Sequence, residues 1–154
     1  MLERENILDF VLDAKAKFDG MLSMDKFPNY NGDSLGIIEA KAFDYAINGN
    51  TENGKEAIVA IKNYADTCTY DGMADYTRAM GHVMFTAAEV YDWCYPLLTD
   101  DDKKEIVAKC QLIATQMEIG FPPRGQGAVT GHGGEAQLMR DWLSLGIATY
   151  DEYP

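Results

Sequence analysis

The residues best suited to chemistry lie in the segment "TGHGGEAQLMRDW", residues 130–142. His132 is set among three glycines, and Glu135 follows three residues later. A histidine titrates near neutrality or stays neutral and donates a hydrogen bond, and glycines let a ligand approach the backbone closely. The pair therefore suits proton transfer or charge neutralisation. It is not the His-Glu-x-x-His pattern of zinc enzymes, and we predict neither a metal site nor a cofactor.

Glu135 opens a predicted helix over residues 134–150. At about 100° per residue, its apolar arc is centred on Glu135 and consists of Leu145, Leu138, Trp142, Gly146, Met139, Tyr150 and Leu143. The opposite face holds Arg140, Ser144, Gln137 and Asp141. An inward carboxylate is costly unless the N–H groups and dipole of the helix start stabilise it. Glu135 is therefore either part of a functional site or a carboxylate that only accepts hydrogen bonds from the first N–H groups of the helix.

A helix predicted over residues 73–95 has two distinct faces. The predicted core arc consists of Val83, Ala87, Met80, Val90, Tyr91, Met84 and Cys94. His82, Glu89 and Trp93 share the other side at spacings of seven and four, with Phe85 nearby. This second face either lines a cleft or packs a histidine and a tryptophan against a neighbouring helix.

Arg124 and Arg140 are two of only four arginines, and both flank the segment that contains His132. In a chain with a formal net charge of −12, an arginine beside a site could bind a carboxylate or a sulfate. The alternative for Arg140 is a solvent-facing position on its helix.

The segments with periodicity all follow the helical period, so we predict an all-α fold. The predicted helices span residues 2–19, 34–48, 52–68, 73–95, 100–119 and 134–150. Asp33 or Ser34, Thr51 and Thr99 are the expected N-caps, and Gly49 the expected helix stop. Short links favour antiparallel helical hairpins. The glycine- and proline-rich segment 120–133 is too long for an ordinary link, which indicates a functional or disordered loop.

Composition limits the possible partners of the 154-residue chain. The acidic balance argues against nucleic acid and anionic membranes as partners. No apolar run is long enough to cross a membrane and no signal peptide is visible, so we expect a soluble chain. Cys68, Cys94 and Cys110 are predicted to be buried thiols.

Two stretches, "AAEVYDWCYPLLTDDDKKEI" (87–106) and "FPPRGQGAVTGHGGEAQLMRDWLSLGIATYDEYP" (121–154), resemble the heparinase II/III-like polysaccharide lyases. The resemblance implies an incomplete α/α toroid whose cleft holds an acidic polysaccharide, such as heparin or heparan sulfate, and cleaves it by β-elimination at a uronic acid. The heparinase II branch has a histidine and a glutamate at the positions matching His132 and Glu135, which we take as catalytic. The expected substrate-binding residues are Arg124, Tyr91, Trp93, His82, Glu89 and Arg140.

The chain departs from the family in one respect, because it ends 19 residues after Glu135. The family's catalytic tyrosine and its β-sandwich domain lie further on. We therefore expect a single helical domain that is a fragment of a longer enzyme, periplasmic or secreted, inactive alone and able to self-associate through exposed helix faces. Two alternatives stay open: a non-catalytic glycan- or protein-binding helical repeat, and an α/α-barrel glycoside hydrolase using Glu135 with Glu89 or Asp92.

Overall fold

The computed structural model describes residues 27, 29–73, 76–117 and 137–153, with the side chains of residues 137–139 left out. These ranges form five α-helices: α1 Gly32–Asn48, α2 Thr51–Thr67, α3 Tyr76–Trp93, α4 Asp100–Gln116 and α5 Leu143–Thr149. A 3₁₀ turn, Tyr95–Leu97, joins α3 to α4, and a π-helix, Gln137–Trp142, leads directly into α5. The described ranges contain no strand, which confirms the predicted all-α class. The predicted helix 2–19 and the segment 120–133 lie outside them.

Asparagines cap the first two helices. The Asn31 side chain accepts hydrogen bonds from the backbone N–H groups of Asp33 and Ser34, at 2.9 and 3.3 Å. Asn50 starts α2 in the same way. The predicted caps Asp33, Ser34 and Thr51 are therefore wrong by one to three residues. Several cap-forming residues are adjacent in both places, and short side chains of this kind serve almost equally well at a helix start.

Two other helix ends match the sequence prediction. Gly49 ends α1 in the left-handed conformation, with φ of 73°, which costs a glycine little. Thr99 caps α4, and its hydroxyl accepts from the Asp102 N–H while the Asp102 carboxylate accepts from the Thr99 N–H. This reciprocal capping box satisfies two backbone donors that would otherwise lack partners.

Helix α1 and helix α2 form an antiparallel hairpin across a two-residue link. Asp44 of α1 stabilises the link. Its carboxylate accepts hydrogen bonds from Asn50 Nδ2 at 2.8 Å and from Asn53 Nδ2 at 2.6 Å. Helix α3 packs against α1, α2, α4, the π-helix and α5, so it is the central element of the core. Its predicted core arc is confirmed, because all seven residues of that arc are buried.

The last predicted helix differs from the structure in its register. Leu143 and Tyr150, assigned to the apolar arc, are 46% and 70% exposed, whereas Asp141, assigned to the polar face, is 0% exposed. The cause is the π-helix over residues 137–142. A π-helix has more residues per turn than an α-helix, so a constant rotation of about 100° per residue misplaces the side chains that follow.

None of the helices in the described ranges is both long enough and apolar enough to cross a membrane. Cys94 and Cys110 are buried as predicted, and Cys68 is only partly buried. All three are free thiols.

Candidate functional site

One side of α3 carries the residues that the sequence singled out. His82, Phe85, Glu89 and Trp93 follow one another at spacings of three and four, which aligns them in a single stripe along the helix. We call these four residues the polar-aromatic face. Each of them is partly buried, in contrast to the fully buried core arc behind them. The face therefore lies at the edge of the core, where side chains pack but still meet solvent.

His82 is held by a partner on each ring nitrogen. Its Nε2 lies 3.1 Å from Glu39 Oε1, on α1, and its Nδ1 lies 3.0 Å from the Tyr30 hydroxyl, which precedes α1. Thr86, one turn along α3, donates to the same Glu39 oxygen at 2.7 Å. An ionised carboxylate can only accept, so the neutral ring carries its proton on Nε2 and accepts at Nδ1 from Tyr30.

The two carboxyl groups beside this face have opposite electrostatic environments. Burial alone would raise the pKa of Glu39, but the hydrogen bonds from His82 and Thr86 outweigh it and hold this pKa below its ordinary value. Burial, reinforced by the negative charge of Glu39, raises the pKa of Glu89 to about 7. Oε2 of Glu89 is buried and has no hydrogen-bond partner among the described residues. Glu39 is thus held as a carboxylate, whereas burial favours the neutral acid form of Glu89.

A groove of about 250 Å³ opens beside Glu89. It lies between α3 and α5, and its lining consists of Phe85, Ala88, Glu89, Asp92, Trp93, Ser144, Ile147 and Ala148. The Trp93 ring packs against Phe43 of α1, with the ring centroids 5.5 Å apart. A supported indole next to a carboxyl group offers a ligand both a flat apolar surface and a polar contact.

The π-helix brings a cation to this face. The Arg140 guanidinium lies 5.6 Å from the centroid of the Phe85 ring, and its side chain is 47% exposed. It donates through Nε to Asp141, and its positive charge acts on both Glu39 and Tyr30. Arg140 is therefore fixed at the polar-aromatic face while part of its guanidinium still meets solvent.

Asp141 holds the π-helix against α3 at very close range. A Cβ atom added to Gly81 would lie 1.8 Å from Asp141 Oδ2, so only a glycine fits beside that oxygen. Burial raises the pKa of Asp141, although Arg140 acts in the opposite direction. The second oxygen, Oδ2, has no hydrogen-bond partner within the described ranges. Gly81 and Asp141 together set the position of Arg140 over Phe85.

Four of the predicted site residues come together, and one lies elsewhere. His82, Glu89 and Trp93 belong to the polar-aromatic face, and Arg140 lies over its Phe85. The candidate Asp92 lines the groove beside Glu89. Tyr91 is instead fully buried, and its hydroxyl donates to Glu152. A ring in that position has no contact with the groove. The remaining predicted residues, Arg124, His132 and Glu135, lie outside the described part of the chain.

The sequence analysis missed Glu39, Tyr30 and Asp141. Glu39 offered a signal, because it is a lone acid within the apolar run "GIIEAKAF" of α1. Tyr30 offered no such signal, because its partner His82 lies 52 residues away in the chain. The assumed helical register put Asp141 on the wrong face. In the described ranges no three His, Cys, Asp or Glu side chains are close enough together to hold a metal ion.

Sequence comparisons with known proteins found no match from which a function could be inferred. The sequence matches no model of a known protein family. No curated protein shows significant sequence similarity to it.

Proposed function

We propose that this chain is the helical part of a polysaccharide lyase that cleaves a uronic-acid-containing polysaccharide, such as a heparin- or heparan-sulfate-like chain, by β-elimination. One observation carries the proposal: the polar-aromatic face of α3 places the protonatable Glu89 beside Trp93, and the half-exposed Arg140 of the π-helix lies over Phe85 of the same face. A uronic acid residue is a pyranose ring that carries a carboxylate and has an apolar face of C–H groups. These three groups match its apolar surface and its charge.

Elimination at a uronic acid requires neutralisation of the carboxylate, because only then does the neighbouring C–H bond become acidic enough to break. Arg140 supplies a positive charge for this purpose. Glu89 can donate a hydrogen bond as a neutral acid, since its pKa of about 7 leaves a large share protonated at neutral pH. Two such groups stabilise the charge that develops in the transition state.

His132 and Glu135 enter the proposal through the family resemblance. Glu135 would interact with the uronate carboxyl group, and His132 would assist its neutralisation or the proton transfer. Glu135 precedes Gln137 by two residues, and two residues of chain span at most about 7 Å. Arg140 lies within the π-helix that begins at Gln137, so this short tether is compatible with a site that Glu135 shares with Arg140.

The toroid belongs to the same proposal. In a ring of helical hairpins, the apolar face of each hairpin packs against the next hairpin. A hairpin at an open edge of the ring therefore keeps apolar side chains exposed. Leu143 and Ile147 of α5 are 46% and 69% exposed, although side chains of this kind are usually buried. We assign them to an edge of the incomplete ring.

A second candidate function is glycoside hydrolysis. It is favoured by the two carboxyl groups beside this face: Glu39 is bound by His82 and Thr86, whereas Glu89 Oε2 is buried with no hydrogen-bond partner among the described residues. A carboxylate next to a neutral carboxylic acid is the usual pairing of glycosidases. Elimination leaves an unsaturated sugar, whereas hydrolysis adds water and leaves none, so the products distinguish the two reactions.

The test uses the full-length gene product that carries this chain. We expect an increase in the short-wavelength ultraviolet absorbance of the unsaturated sugar on incubation with heparan sulfate or another uronic-acid polysaccharide, and a loss of that signal in Arg140→Ala and Glu89→Ala. Glu52→Gln, at the exposed start of α2, removes a carboxylate outside the face and should leave activity unchanged. New reducing ends without any absorbance change would favour hydrolysis. Polysaccharide binding without any cleavage would favour the non-catalytic alternative.

A further inference from the structure

The groove between α3 and α5 is acidic. Two of its lining residues, Glu89 and Asp92, have carboxyl groups, and the others are aromatic, aliphatic or hydroxyl side chains. No lysine, arginine or histidine is among the described residues that line it. Asp92 is exposed, so a ligand that enters the groove meets its carboxylate. A negatively charged substituent placed there would face like charge without a basic partner.

The negative charge around the groove extends to α1. The Glu39 carboxylate is bound by His82 at 3.1 Å and by Thr86 at 2.7 Å, and its charge acts on Glu89. A charge that reaches one lining residue also acts on a ligand beside that residue, because little water lies between them to screen it. The groove is therefore unfavourable for an anion on both counts.

The basic residues on this side of the fold already have partners. The Arg140 guanidinium lies 5.6 Å from the ring centroid of Phe85, which also lines the groove. Arg140 donates to the buried carboxylate of Asp141, which offsets part of its charge. Both ring nitrogens of His82 are within hydrogen-bond distance of a partner. Arg140 can bind one uronate carboxylate, and the lining of the groove offers no cation for a second anion.

The remaining lining suits an uncharged sugar ring. The Trp93 indole packs against Phe43, with the ring centroids 5.5 Å apart, and Ile147 and Ala148 of α5 line the same space. Such surfaces pack against the C–H face of a pyranose ring, and the Ser144 hydroxyl can exchange hydrogen bonds with a sugar hydroxyl. The volume of about 250 Å³ is below that of pockets for drug-sized ligands, which matches about one sugar ring.

The geometry points to Asp92 as a specificity-determining residue that excludes sulfated sugars from this groove. The substrate is then a uronic-acid polysaccharide whose sugar beside Trp93 carries hydroxyl or acetamido groups and no sulfate. The inference rests on the proposed function and narrows its substrate class: a heparin-like backbone fits in its unsulfated form. Asp92 acts by repulsion and takes no part in bond breaking.

The test compares two substrates with the same backbone on the full-length gene product. One is heparin, and the other is the same heparin after chemical desulfation and N-acetylation. We expect wild type to cleave the desulfated chain with a kcat/KM about tenfold higher or more. Asp92→Asn should reduce this preference by about threefold to fivefold, and Asp92→Lys should reduce it further. Asp101→Asn makes the same change of charge at the exposed start of α4 and should leave the preference unchanged.

Salt provides a readout that a purely structural role of Asp92 would not alter. Raising the ionic strength from about 0.05 M to about 0.5 M screens repulsion between exposed charges. The preference of wild type for the desulfated chain should therefore shrink with salt. The preference of Asp92→Asn should change less, because one of the repelling charges is gone.

The two proposals fail in different ways. Faster cleavage of native heparin by wild type, or an unchanged preference in both Asp92 variants, would overturn the exclusion of sulfate and leave elimination intact. Cleavage of neither substrate by wild type would overturn the proposed function. Binding of the same two chains then decides the inference alone: tighter binding of the desulfated chain, reduced in Asp92→Lys, supports it, and tighter binding of native heparin by wild type overturns it.

Discussion

Glu89→Gln isolates the energetic effect of the unusual carboxyl group on α3. The substitution keeps the shape of the side chain and removes its ability to ionise. Burial, followed by the charge of Glu39, raises the pKa of Glu89 from an ordinary 4.5 to about 7. An acid whose pKa is higher in the folded than in the unfolded protein stabilises the folded state most at pH values below its unfolded pKa. The stabilisation that Glu89 contributes to wild type should therefore be lost as the pH rises from about 4.5 through about 7.

The size of this loss follows from the two pKa values. At about 1.4 kcal/mol for a tenfold change in proton affinity, the difference corresponds to at most about 3 kcal/mol. The side chain is only partly buried, so solvent screening reduces the expected effect to about 1–2 kcal/mol. Glutamine stays neutral at every pH and should not show this contribution.

Urea unfolding of both proteins at about pH 5 and about pH 8 measures the effect. The free energy of unfolding of Glu89→Gln, relative to wild type, should rise by about 1–2 kcal/mol between the two pH values. Taking this difference removes the contributions that all other groups make in both proteins. Parallel pH profiles would show that Glu89 ionises normally, and the role given to it as a neutral hydrogen-bond donor would then be wrong.

Four further substitutions test the framework of the fold. Gly81→Ala should lower the free energy of unfolding by about 1–3 kcal/mol, because a Cβ there meets a carboxylate oxygen at 1.8 Å. Gly36→Ala, with nothing within 4 Å, should raise it by about 0.5–1 kcal/mol. Thr99→Ala should lose the capping box, at a cost of about 1 kcal/mol in thermal unfolding. Hydrogen bonds from Lys103 and two tyrosines lower the pKa of Glu152 to about 2. Glu152→Gln should therefore be less stable than wild type above about pH 4.5, and the gap should close as the pH falls towards 2 in urea titrations.

The part of the fold that the sequence predicts is the part fixed by local spacing. The core arc of α3 was assigned correctly because its period of 3.6 residues involves only neighbouring turns. Gly49 and Thr99 were correct for the same reason, since a helix end is decided within a few residues. Asn31 and Asn50 were missed because adjacent polar residues could cap equally well.

The partners within the candidate site could not be predicted in the same way. His82 and Glu39 are 43 residues apart in the chain, and His82 and Tyr30 are 52 apart. No local pattern encodes a contact at that separation. Asp141 was assigned to the wrong face of its helix because the prediction assumed an α-helix. That assumption gives no signal for the larger number of residues per turn in a π-helix.

The central claim, β-elimination at a uronic acid, is tested most directly by the mass of the products from the full-length gene product. The account predicts that one new chain end is lighter by the mass of a water molecule than the corresponding hydrolysis product, and that this end disappears in Arg140→Ala. New chain ends that all carry the added water would contradict it, because the bond would then have been hydrolysed.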